Sequence, residues 1–159
     1  MNKLLPQARI QNDLEIVSHS IPMLIYRYVK PSQIEDESVT DAAFQLRENR
    51  DPPEEYISFY HSNEFELVDR LNSIEQLMKS YGFSFKRNSG LLQLNTIEAQ
   101  EQINATRELI EFRRKNSEKI GLHYLTKDPV YINEAKTILA FISQLHRTSS
   151  FNEMINPTA

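Results

Sequence analysis

Cysteine is absent from the 159 residues, which excludes disulfides, thiol nucleophiles and cysteine-ligated zinc at once. Glycine is nearly as scarce. Gly82, Gly90 and Gly121 are the whole complement, too few for a Gly-rich loop that cradles phosphates. Long apolar runs are missing as well. Runs such as Met23 to Tyr26 are only a few residues long, far short of the roughly 20 needed to cross a bilayer. The opening Met1-Asn2-Lys3-Leu4-Leu5-Pro6-Gln7 turns polar too early for a secretion signal. These absences predict a soluble, cytoplasmic chain with no cofactor and no membrane partner.

What is present suits a globular domain: 40% hydrophobic and 25% charged residues, enough to build one core. No linker, repeat or low-complexity segment divides it. Residues 1–147 read as a single α+β domain with a short N-terminal helix over Gln7–His19, and residues 148–159 read as a frayed tail.

The formal net charge of −4 is unevenly spread. Residues 34–69 hold eleven acids against Arg47 and Arg50, and such a block repels a phosphate backbone. Its opening cluster, Glu35, Asp36, Glu37 and Asp41, is the candidate docking face for a basic protein partner. The basic run Arg113, Arg114, Lys115 and Lys119 is the counterweight. It has no aromatic ladder for stacking on bases, so nucleic-acid binding is the weaker use of it.

Apolar spacing places the elements. Met23–Val29 and Glu55–Tyr60 read as strands. Asn63 and Glu66 form a capping box for a helix from Glu64 to Tyr81 that Gly82 ends. Phe83–Phe85 and Leu91–Leu94 read as a hairpin around Lys86–Gly90. Asn95 caps a third helix, and Leu109–Arg113 fits either its continuation or a strand. Gly121–Thr126 reads as a strand. Asp128 with Pro129 opens a last helix running to His146. The two long helices should bury Leu71 and Ile138 against one mixed or antiparallel sheet.

Several landmarks follow one another in order: Tyr26-Arg27 in the opening strand, Val39 to Phe44 with its Ala43-Phe44 pair, Ile57-Ser58-Phe59-Tyr60, Gly90 to Leu94, and His123 before a closing helix. This order resembles a family of small uncharacterised bacterial proteins. The likeness implies a strand for Leu109–Arg113. It carries no reaction.

Three residues on expected strands, Arg27, Ser58 and His123, are candidates for a catalytic set. The order of an early strand arginine and a later strand serine is also similar to ADP-ribosyltransferase-like folds. Those folds require a late glutamate beside the ribose, for which Glu98, Glu101 and Glu111 are the candidates. His61 and Glu64 could share a metal ion, but two ligands without a third make a poor site. Three functions are therefore open: a non-catalytic interaction module of a bacterial multi-gene system such as a toxin or defence assembly, a degenerate ADP-ribosyltransferase-like or nucleotide-acting enzyme, and a nucleic-acid-binding accessory protein. Self-association is compatible with each.

Overall fold

A computed structural model of the chain describes residues 21–147. The expected Gln7–His19 helix and the 148–159 tail lie outside the described residues. Eight strands and three helices follow in the order β1 (Leu24–Val29), β2 (Ile34–Glu35), β3 (Ser38–Val39), β4 (Ile57–Tyr60), α1 (Leu67–Ser80), β5 (Gly90–Asn95), α2 (Thr96–Ile103), β6 (Ile110–Arg114), β7 (Lys119–Tyr124), α3 (Pro129–Ile142) and β8 (Gln144–Arg147). Six strands form one sheet in the order β6-β7-β4-β1-β5-β8. Every pairing in it is antiparallel. The fold is α+β, as the interspersed periodicities predict.

Alternation along the strands divides the sheet into two buried faces. Ile25, Val29, Ile57, Phe59, Leu92, Leu94, Ile120 and Leu122 point to one side, where Ala99 of α2, Ala135 and Leu139 of α3, and the Ala43-Phe44 turn complete the larger core. Tyr26, Tyr60 and Leu91 point to the other, under Leu71, Ile74 and Met78 of α1. The two long helices do share one sheet, on opposite faces.

Local chemistry explains most element ends. The Asn95 side chain accepts the backbone N–H groups of Ile97 and Glu98, and Asp128 accepts that of Val130 ahead of Pro129. Gly82 sits at φ +93°, and the N–H groups of Gly82 and Phe83 close onto the carbonyls of Lys79 and Met78, the left-handed ending glycine permits.

Four expectations need correction. The Asn63–Glu66 capping box does not form: α1 starts at Leu67 without a side-chain cap. Arg70 instead holds the preceding segment, donating to the carbonyls of Glu64 and Phe65. Phe83–Phe85 is not a strand, because β1 and β8 already occupy both edges of β5. Phe83 and Phe85 pack edge-on against Tyr28 instead, with ring centroids 6.1 and 5.0 Å away. The last helix ends at Ile142, where both the N–H and the hydroxyl of Ser143 close onto the Leu139 carbonyl. Residues 144–147 then ladder onto β5, so Leu145 reaches the core from a strand. Finally, Ile138 is only partly buried, and its neighbour Leu139 takes the central place.

Leu71→Ala and Leu139→Ala should each cost on the order of 2–5 kcal/mol, since both side chains are fully buried. Ile138→Ala should cost less than either. Urea denaturation of the three variants checks the ranking, and an Ile138 effect as large as that of Leu139 would contradict this assignment of the helix face.

Candidate functional site

The centre of the sheet is where its ladder is thinnest. Strands β4 and β1 occupy the middle positions, yet among the described residues they register only at Tyr26 opposite Tyr60. Beyond that pair the strands part, and the side chain of Arg27 fills the opening. Its Nε donates to the Ala43 carbonyl at 3.0 Å and its Nη1 to the Ser58 carbonyl at 3.0 Å. No carboxylate lies within ion-pair distance of Arg27 among the described residues. Burial pushes the guanidinium down to about 10, against a partial offset from the more distant Glu54.

The turn that accepts from Arg27 is held from two further directions. Tyr124 donates its hydroxyl to the Phe44 carbonyl at 2.8 Å, and Lys136 donates to the Gln45 side chain. Burial raises the Tyr124 phenol well above its ordinary value, so it stays a donor. The Ala43-Phe44 pair supplies the buried residues of the Asp41–Phe44 turn, and Phe44 stacks on Phe59 with centroids 6.4 Å apart.

A cavity of about 270 Å³ runs through the opening, with Arg27, Lys30, Arg47, Arg50 and Lys119 in its walls and Glu54 as the one acid. The Glu54 carboxylate is already engaged, accepting from the Arg47 N–H at 2.7 Å and from Arg50 at 3.4 Å. A second cavity of about 380 Å³ continues under the 51–56 loop and shares Arg50, Glu54, Ser58 and Lys119 with the first. Sequence reasoning named Arg27 and Ser58 but not the cavity around them, because its other cations come from positions 30, 47, 50 and 119. The signal available was a single arginine inside an otherwise apolar strand.

The expected catalytic set is only partly assembled. Arg27 and Ser58 meet at the opening, but His123 lies on β7 with its ring against Tyr56, centroids 5.3 Å apart, and lines neither cavity. Glu98 and Glu101 are exposed on α2. Glu111 is ion-paired to Arg113 on the outer strand β6. None of the three reaches the cavity that Arg27 and Ser58 share. His61 contacts the Ser117 carbonyl at 2.7 Å through Nε2, and Glu64 is exposed. No cluster of three or more metal-ligating side chains occurs among the described residues. The basic run gathers around Tyr56: Lys115 lies over its ring at 4.1 Å and Lys119 at 5.8 Å, where Lys119 also lines the cavity.

The acidic block is not one surface either. Glu64, Glu66 and Asp69 precede or open α1, and Glu48, Asp51, Glu54 and Glu55 sit in the loop before β4. Glu35, Asp36 and Glu37 form the β2–β3 hairpin, in which Glu35 pairs with Ser38. Asp36 and Glu37 sit at φ 51° and 60°, the positive angles of a type I′ turn. All three carboxylates and that of Asp41 are exposed. Glu37 reaches Arg147 at 3.7 Å with its own side chain 76% exposed, a contact worth little in water.

No helix among the described residues is long and apolar enough to cross a membrane. His61, His123 and His146 all have depressed pKa values, with burial as the main cause. His123 falls to about 4, through burial first and then the charges of Lys115 and Arg113. Its Nε2 is buried without a partner, so protonation would strand a second N–H. An unfolded histidine protonates near 6.5. Below that value the unfolded chain takes up a proton the folded one refuses, so stability present above pH 6.5 is lost as pH falls toward 4. His123→Phe keeps the ring against Tyr56 and removes the titration. Its urea midpoint should therefore fall less steeply between pH 6.5 and 4 than that of the wild type, and parallel profiles would refute the assignment. No family model, curated protein or solved structure matches the chain.

Proposed function

We propose that the chain is a non-catalytic protein-interaction module of a bacterial multi-gene assembly, docking a basic partner on Glu35, Asp36, Glu37 and Asp41. The observation that carries this reading is the β2–β3 turn. Two acids occupy its positive-φ positions, where the usual residues are Asn-Gly or Asp-Gly. Left-handed backbone costs an ordinary residue about 1–2 kcal/mol. A turn selected for stability alone would not hold a glutamate there. Asp36 and Glu37 instead carry two charges to the tip of a hairpin whose base packs against β8 and α3. Glu35 and Asp41 extend the charge to either side, and neither makes an ion pair among the described residues. Such a surface raises the encounter rate with a cationic partner and loses that advantage at high salt.

Two substitutions separate folding from docking at this turn. Asp36→Asn with Glu37→Gly should stabilise the fold by on the order of 1 kcal/mol and weaken partner capture. Reversing Glu35, Asp36 and Glu37 to lysine should abolish co-purification of a basic partner that the wild type retains at low salt and releases at high salt. A partner held equally well by wild type and charge-reversed chain would overturn the docking assignment.

A further inference from the structure

We infer that the opening between β1 and β4 is a binding site for a nucleoside phosphate, with the cavity cations taking the phosphates and Phe83, beside Tyr28, taking the base. The site is distinct from the acidic hairpin and goes beyond the docking role.

Charge is the first argument. The chain is acidic, with a formal net charge of −4. The cavity nonetheless carries five cations against Glu54, and that carboxylate is already shared between the Arg47 N–H and the Arg50 guanidinium. Arg27 is the deepest of the five. Its two protein contacts are neutral carbonyls, which orient the guanidinium without neutralising it. A half-buried cation whose one attracting carboxylate, Glu54, is already shared with Arg47 and Arg50 is incompletely balanced, and a phosphate entering the opening supplies further negative charge through short, charge-assisted hydrogen bonds. Arg47, Arg50 and Lys30 sit at the exposed rim, able to bind further phosphate oxygens.

Aromatic surface is the second. Tyr28, Tyr60 and Phe83 line the same cavity. Phe83 meets Tyr28 and Tyr60 edge-on, at 6.1 and 6.2 Å between centroids, and is 36% exposed. Tyr60 is buried and also packs against Tyr81, so the exposed Phe83 ring, held by edge contacts, offers the face for another flat group, and stacking of a base on such a face contributes about 1–3 kcal/mol. Volume is the third. About 270 Å³ in the opening lies near the lower end of the range of small-molecule sites, and the adjoining cavity of about 380 Å³, whose walls add Asp51 and Glu55, lies within it. Free phosphate would use only the cations, and a purely apolar ligand only the rings. A nucleoside phosphate uses both.

Isothermal titration of the full chain with ADP, GDP and UDP, with pyrophosphate and adenosine in parallel, tests the assignment. At least one nucleoside diphosphate should bind ten-fold or more tightly than either pyrophosphate or adenosine. Lys30→Glu with Arg47→Glu alters exposed side chains only, so the fold should persist by circular dichroism while nucleotide affinity falls ten-fold or more. Phe83→Ala should weaken the nucleotide and leave pyrophosphate unchanged. Absence of saturable binding by all three nucleotides at millimolar concentration would overturn the proposal. So would pyrophosphate binding as tightly as the best nucleotide, or affinity unaltered by the double charge reversal.

Discussion

A guanidinium stands where two central strands would otherwise share a ladder. Backbone carbonyls cannot stay buried and unpaired without costing on the order of 1–3 kcal/mol each, and parting β1 from β4 would leave the Ser58 carbonyl in that state. Arg27 resolves this by donating to Ser58 from one nitrogen and to Ala43 from another. One planar group thereby spans the opening, satisfies a strand and fastens the turn that carries Phe44 into the core. Lysine has a single terminal nitrogen without the fixed fork and would not span both directions with one geometry. The cavity, its charge and the seating of the Ala43-Phe44 turn all follow from this substitution of a side chain for a ladder.

The opposite face is held by polar contacts of another kind. Arg70 of α1 donates to the Tyr26 hydroxyl at 2.7 Å, and that hydroxyl donates to Gln93 at 2.9 Å, which also meets His146 at 3.0 Å. The chain of bonds links the helix to β1, β5 and β8 and gives each partly buried polar group a partner. Gly121 belongs to the same face. A Cβ there would come within 2.7 Å of the Tyr56 ring and 2.6 Å of Lys115, so the missing side chain gives the Tyr56–Lys115 stack its seat.

How much of this was legible in the sequence depended on whether the information was local. Leu71, Ile74 and Met78 recur at helical spacing, and Asn95 and Asp128 precede their helices, so α1, α2 and α3 could be placed from neighbours alone. The face each helix would cover could not, since a stripe reports that it is buried and not against which side of a sheet. Gln144–Arg147 looked helical because Leu145 continues the α3 stripe, and only the free edge of β5 makes a strand of it. Phe83 and Phe85 alternate like a strand, but both edges of β5 were already taken. The acidic residues were legible as a count and misleading as a surface, because the chain carries them to three separate places. The cavity was the least legible feature, since its cations meet only after β1, the 47–50 loop and β7 have come together.

The sheet can also be followed as a path. Strands β1, β5 and β8 lie on one side of the Arg27 opening, and β4, β7 and β6 on the other. In sequence the chain passes from β1 to β4, from β4 to β5, from β5 to β6 and from β7 to β8, crossing the seam each time. Three of those crossings contain α1, α2 and α3, and the first contains the turn that Arg27 grips. The seam with the fewest strand-to-strand hydrogen bonds is therefore laced by covalent chain on both faces, as a shoe is closed across its tongue. A gap so laced can admit a guest molecule without letting the two halves of the sheet come apart.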